Sequence, residues 1–138
     1  MLRPGGRLVF SVWDRIEENA FADDVTNAVA TVFADDPPRF LARTPHGYHD
    51  RALIVDEVRR AGFAHVEIET HEKLSHAATA RDAAIAYCQG TPLRNEIEAR
   101  DPGLLQLATD RATQAIARRH GEGPVAGKIQ AHLIVAAG

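Results

Sequence analysis

Apolar residues recur along this chain with two periods, and these periods predict an alternation of strands and helices. Five of the seven positions in residues 7–13 are apolar, and in an extended chain they point to both faces. Such a strand is typical of a sheet that helices cover on both sides. Residues 65–72 alternate strictly between apolar and polar positions, which predicts an edge strand with one solvated face. A last strand is predicted over residues 128–136, with apolar side chains at every second position from Ile129 to Val135.

Helical spacing connects these strands. Residues 19–33 repeat apolar side chains at intervals of three and four, as one buried helix face requires. Asp50 and Thr79 are predicted N-caps of two further helices, and Asp101 followed by proline predicts another helix start. Residues 79–123 therefore form a predicted helical insert between the last two strands. We interpret this insert as a lid or as a dimer contact.

The turn and strand Leu2-Arg3-Pro4-Gly5-Gly6-Arg7-Leu8-Val9-Phe10 resemble the entry to the fifth strand of class I S-adenosylmethionine-dependent methyltransferases. The succession behind it is similar to the C-terminal half of that family, and most similar to its small-molecule group. The resemblance implies an α/β fold: one domain over residues 1–138, with a three-stranded mixed sheet, flanking helices and the insert. It also implies that the last two strands pair as an antiparallel hairpin and that the last strand inserts beside the first.

The chain departs from this family at the cofactor site. Family members hold S-adenosylmethionine with a glycine-rich loop after the first strand and an acidic residue after the second. Here Gly5 and Gly6 precede a strand, and neither they nor Gly121 and Gly123 lie between a strand and a helix start. We therefore expect no cofactor site and no methyltransferase activity in this chain alone. A truncated gene product and a misassigned start at Met1 both account for this departure.

The resemblance places residues 39–49 beside the acceptor pocket, so His46 and Tyr48 are predicted to contact a substrate. Trp13 ends the first strand, at the edge where open α/β sheets bind ligands. Its indole is suited to holding a flat acceptor, and a packed indole at a strand end is an equally good interpretation. His46 and His49 lie three residues apart, but no acidic or cysteine pair completes a familiar metal-ligand spacing.

A helix break near residue 90 supplies two further candidates. Arg94 is suited to clamping an acidic substrate, and Tyr87 to hydrogen-bonding an acceptor. The alternative, which the pattern favours slightly, is a connection between helices with Tyr87 in the core. Cys88 lies beside them, and its only nearby basic residue is Arg94, which argues against a nucleophilic role.

The resemblance implies a small-molecule acceptor as partner, and composition argues against two other classes of partner. The net charge is −3 and no basic stripe occurs, which argues against nucleic-acid binding. No apolar run approaches the roughly 20 residues of a membrane helix. A single cysteine excludes an internal disulfide and favours a reducing, cytoplasmic location.

Self-association is predicted from the first strand. Its edge is apolar and lacks a predicted neighbour on one side, so we expect a homodimer through this strand or through the helical insert. Two alternatives remain open at this point. One is a stand-alone dimeric module that binds a small ligand, and the other is a subunit that completes a partner chain carrying the cofactor half.

Overall fold

A computed structural model describes residues 6–138, and the predicted turn at Pro4 and Gly5 lies outside them. Its strands are β1 (Arg7–Trp13), β2 (His65–Ala77) and β3 (Val125–Ala137). Its α-helices are α1 (Ala20–Val32), α2 (Phe40–Arg43), α3 (Arg51–Arg60), α4 (Ala80–Gln89), α5 (Leu93–Arg100) and α6 (Leu105–His120). Single 3₁₀ turns occupy Ile16–Glu18 and Pro102–Leu104.

The three strands form one sheet in the order β1-β3-β2. The expected place of the last strand, beside the first and paired with the second as a hairpin, is confirmed. The expectation of a mixed sheet is wrong for the described residues, because β3 runs antiparallel to both of its neighbours. The helical crossover between β1 and β2 makes these two strands parallel, but β3 lies between them and they share no hydrogen bonds.

One face of the sheet carries a core of its own. Helix α3 packs Ile54 and Val58 on this face. The sheet supplies alternate residues of all three strands: Leu8, Phe10, Val12, Val66, Ile68, Ile134 and Ala136. On the opposite face Val9 is 57% exposed and Trp13 is 41% exposed. The prediction that helices cover both faces of β1 is therefore wrong in the described structure.

A second core lies among the helices. The buried face of α1 and the helices of the insert share it, with Phe21, Val25 and Val29 from α1. The insert contributes small and branched side chains: Ala84, Cys88, Leu93, Ile97, Ala108, Ala112 and Ile116. This helical layer reaches the sheet near the start of β3, where the Phe21 ring lies against Gly127. None of the helices within residues 6–138 has the length and apolar character needed to cross a bilayer.

Local signals set several of the boundaries. The Asp50 carboxylate accepts hydrogen bonds from the N–H groups of Ala52 and Leu53, as predicted for the cap of α3. Thr79 accepts one from Asp82 at the start of α4. Two boundaries differ from prediction. Residues 39–49 contain the one-turn helix α2, and the hairpin strands extend well beyond the predicted 65–72 and 128–136 because they pair with each other.

Candidate functional site

The end of β1 and the loop after α2 form a cleft of about 340 Å³, which we call the β1 cleft. Its walls come from β1, from the adjacent residue of β3 and from the loop: Ser11, Val12, Trp13, Thr44, Pro45, Tyr48 and Ala131. The Trp13 and His46 rings lie 5.9 Å apart between centroids, at an angle of 43°. The structure thus brings three of the predicted site residues together: Trp13, His46 and Tyr48.

His46 ties the loop to the end of β1. Its Nδ1 lies 3.0 Å from the carbonyl oxygen of Asp14, and the residue is 6% exposed. Because a carbonyl oxygen only accepts, Nδ1 carries the proton. Burial lowers the pKa of His46, and the hydrogen bond to Asp14 offsets this only in part. The ring is therefore neutral near pH 7, and its Nε2 carries a free lone pair.

Asp14 is the centre of a polar network behind the cleft. Its carboxylate accepts hydrogen bonds from Gln130 Nε2 at 2.6 Å and from the Arg15 N–H at 2.7 Å. His132 Nε2 lies 3.2 Å from Oδ1, the oxygen that also accepts from the Arg15 N–H. Burial raises the pKa of Asp14, but these partners together outweigh burial and lower it below its ordinary value.

The network continues away from Asp14 in two directions. His132 Nδ1 lies 2.8 Å from the Thr70 hydroxyl on β2, so the imidazole joins all three strands. On the other side, the Asn19 side chain accepts from the Gln130 N–H at 3.0 Å and donates to the Asp14 carbonyl. These polar groups lie on separate segments, and their partnership was not predicted from the sequence. The one available signal is His132, a polar residue beside the buried Ile134 and Ala136 positions.

Tyr48 donates its hydroxyl to the Glu57 carboxylate on α3. This hydrogen bond is the main reason that the pKa of Tyr48 rises to about 12. The phenol is therefore protonated at neutral pH, and its position relative to α3 is fixed by Glu57.

Tyr87 and Arg94 lie elsewhere. Tyr87 packs against the helical core, as the alternative interpretation held, and burial raises its pKa. Arg94 pairs with Glu98 one turn along α5. Cys88 is fully buried, and burial raises the pKa of its thiol to about 11, which leaves little thiolate at neutral pH. None of these three residues lines the β1 cleft.

Trp13 also borders a smaller hollow of about 180 Å³ on the sheet face opposite α3, which we call the open face. Its other walls come from β2 and β3: His71, Lys73, Ile129, Gln130 and Ala131. Trp13 and Ala131 line both this hollow and the β1 cleft, so a ligand in either of them contacts the indole.

The described residues do not fit a bound S-adenosylmethionine. Within residues 6–138 the positive-φ glycines are Gly62, Gly121 and Gly123, and each of them follows a helix. A cofactor loop instead needs glycines that lead from a strand into a helix. The Asp14 carboxylate at the strand end is already engaged by Gln130 and His132.

Within residues 6–138 there is no group of three His, Cys, Asp or Glu side chains placed to bind a metal ion together. The chain matches no protein-family model, and no curated protein matches it in sequence.

Proposed function

We propose that this chain forms the C-terminal part of a class I S-adenosylmethionine-dependent methyltransferase that acts on a small molecule. The observation that carries the proposal is the strand order β1-β3-β2, with the last strand inserted antiparallel between the other two. The sequence resemblance implies this order, and it is not the order that a simple succession of neighbouring strands produces. In this proposal another segment or chain supplies the cofactor loop.

The free edge of β1 supports this proposal. Gly6 accepts a hydrogen bond from Gly138, and Asp14 donates one to Gln130, so the even-numbered residues of β1 form the hydrogen-bonded pairs with β3. The N–H and C=O groups of the odd-numbered residues then point away from β3: Arg7, Val9, Ser11 and Trp13. Within residues 6–138 no strand pairs with this edge. A strand from the cofactor half would satisfy these groups.

The exposed side chains of the open face support it independently. Val9 on β1 stands beside Val135 on β3, its registered partner, four residues before Trp13, which borders the β1 cleft. The β1 and β3 part of this face is an apolar strip that a first-half helix of a complete α/β sheet would cover, whereas β2 adds Glu67, Glu69 and His71 to the same face. The edge and the face adjoin each other, so a single partner can cover both.

In this proposal the β1 cleft holds the acceptor. The Trp13 indole offers an apolar plane for a flat ring. His46 is not one of the lining residues, but its ring lies 5.9 Å from that of Trp13, and in this proposal its neutral Nε2 accepts the proton of an acceptor hydroxyl held against the indole. Methyl transfer needs chiefly an acceptor held in line with the methyl group, and Trp13 with the loop would supply that positioning.

The first experiment is calorimetric titration of the purified chain with S-adenosylhomocysteine, alone and after mixing with a separately produced chain that carries the family's glycine-rich half. We expect no saturable binding by the chain alone and saturable binding by the mixture. Val9→Lys is expected to abolish the mixed response by placing a charge on the open face. Leu74→Lys is the matched control, because Leu74 is 59% exposed but lies on β2 beyond the end of the β1 ladder. Micromolar binding by the chain alone would contradict the proposal.

The acceptor site is tested with the same chain. Since Trp13 is the only tryptophan, its fluorescence reports directly on the β1 cleft. Planar phenols and quinones are expected to quench it in a saturable way, and His46→Gln to weaken the binding of phenols more than that of quinones. If the cleft only stacks flat rings, His46→Gln will weaken the binding of phenols and of quinones equally.

In the absence of a partner half, a homodimer through β1 is part of the proposal. A two-fold axis at Phe10 places Arg7 opposite Trp13 and Val9 opposite Ser11 of a second copy, so that all the free edge groups pair. Light scattering should give twice the chain mass for the parent and a monomer for Val9→Lys. The same β1 cleft also suits a stand-alone ligand-binding module, which would bind acceptors but gain nothing from the cofactor half.

A further inference from the structure

A groove of about 540 Å³ lies between α1 and α6. We propose that it binds a small molecule bearing a phosphate or carboxylate group, through Arg111 and Arg118. We call it the arginine groove. It is separate from the β1 cleft, shares no lining residue with it, and does not depend on the proposed methyltransferase function.

The groove exists because small residues face each other across the two helices. Ala28 of α1 and Ala115 of α6 form its floor. Polar side chains form its walls, and all of them except Asn27 lie one turn from one of the two alanines, because residues three and four apart share a helix face. The α1 wall comprises Asp24, Asn27 and Thr31, and the α6 wall comprises Arg111, Arg118 and Arg119. The volume lies within the range of about 300–1,000 Å³ that small-molecule clefts occupy.

The charges of the groove leave a surplus of arginine. Asp24 is 5% exposed, and its carboxylate is engaged by Arg119 and, at 3.2 Å, by His120. Arg119 also lies 3.7 Å from Asp23. The acidic residues beside the groove are therefore already paired with Arg119 and His120. Arg111 and Arg118 are the two arginines of the groove that they do not engage.

Arg111 and Arg118 have no carboxylate partner among residues 6–138. Arg111 donates only to the Thr31 hydroxyl at 3.3 Å, and Arg118 only to the Gln114 carbonyl at 3.4 Å. They lie two turns apart on the same face of α6, with Ala115 between them. Two guanidinium groups over a shallow apolar floor suit an anion, because guanidinium groups bind phosphate and carboxylate through paired hydrogen bonds. The net charge of −3 makes an extended polyanion a poor partner.

The test is calorimetric titration of the chain with pyrophosphate and, separately, with citrate, at low ionic strength. Saturable binding of pyrophosphate alone identifies a phosphate ligand, and binding of citrate alone a carboxylate ligand. The double variant Arg111→Gln/Arg118→Gln should lower the affinity for the preferred probe by about tenfold or more, the loss expected for charged hydrogen bonds. Arg39→Gln removes one exposed positive charge at the residue before α2, away from the groove lining, and should leave the affinity unchanged.

A second variant separates the groove from general electrostatic attraction. Ala115→Leu fills the floor while keeping every charge, and we expect it to weaken binding as much as the loss of one arginine does. Circular dichroism and the thermal midpoint check that each variant is folded. The proposal is overturned if neither probe binds saturably, if Arg39→Gln costs as much as the double variant, or if folded Ala115→Leu binds like the parent.

Discussion

His132 Nε2 lies 3.2 Å from Asp14 Oδ1, and this contact links the centre of the sheet to the end of β1, where the β1 cleft opens. His132 is 3% exposed, and its second nitrogen is satisfied by Thr70, so the ring has a partner at each end. The strand end that carries Trp13 is therefore held by buried polar contacts as well as by the backbone ladder.

Asp14→Asn should test this network. The amide loses its charged hydrogen bonds to Gln130 and His132, and we expect a loss of about 1–3 kcal/mol in unfolding free energy at neutral pH. Because the folded-state pKa of Asp14 is lowered, its stabilisation is present above the unfolded value of 3.8 and is lost as pH falls through the folded one. Urea unfolding at several pH values should thus show the parent and the variant converging in acid. A constant difference across this range would contradict the assignment.

His46→Gln should also reduce the loss of stability in acid, but over a higher pH range than Asp14→Asn. Burial lowers the folded-state pKa of His46 below the unfolded value of 6.5. Protonation therefore favours the unfolded chain. The stability that the fold has while the ring is neutral is lost as pH falls below 6.5. The parent should lose stability between about pH 7 and pH 5, and the variant should lose less. Trp13 fluorescence during urea unfolding measures both, and an unchanged slope in the variant would argue for a solvated imidazole.

Gly127→Ala should destabilise the junction between the two cores. An added Cβ would lie 2.9 Å from the Phe21 ring, which is 2% exposed and cannot move aside freely. Overpacking of this kind costs about 1–3 kcal/mol. Phe21→Leu should reduce the cost, so a double-mutant cycle measured by thermal unfolding should give a favourable coupling between the two substitutions. Additive effects would place the strain elsewhere.

Asp23→Asn is expected to stabilise the fold slightly, by no more than about 0.5 kcal/mol. Burial and the neighbouring Asp24 charge raise the pKa of Asp23, and Arg119 offsets them only in part. Ionised Asp23 destabilises the fold as pH rises above the unfolded pKa of 3.8. The variant should therefore be more stable than the parent at neutral pH and equally stable in acid. Asp35→Asn, at an exposed turn, is the matched control for loss of one negative charge.

Local signals in the sequence predicted the elements well and their environment poorly. The N-cap at Asp50 and the strand at residues 7–13 depend on neighbouring residues, so the sequence pattern contained them. Which face of the sheet is buried depends on where α3 packs. In β3 the alternate sets Leu133 with Val135 and Ile134 with Ala136 are both apolar, and only the second set is fully buried. Periodicity alone does not distinguish them.

The candidate site was predicted in part for the same reason. His46 was predicted to contact a substrate, and Trp13 either to hold a flat acceptor or to pack at the strand end; the structure places their rings side by side. The network behind them joins Asp14 to Gln130 across 116 positions of sequence. Spacing rules describe residues a few positions apart, so this pairing required the strand order. Arg94 was selected for its charge alone, which Glu98 on the same helix neutralises.

The core between α3 and the sheet and the core among the helices contain different residues, and the hairpin of β2 and β3 runs from one to the other. The 13-residue strands pair along their full length, from the α3 side to the helical layer. Because each core closes on its own set of side chains, the helical layer can change its sequence and length over evolutionary time while the sheet keeps its register. Substitutions that change ligand binding would then collect in the helical layer, while the sheet and α3 stay the same.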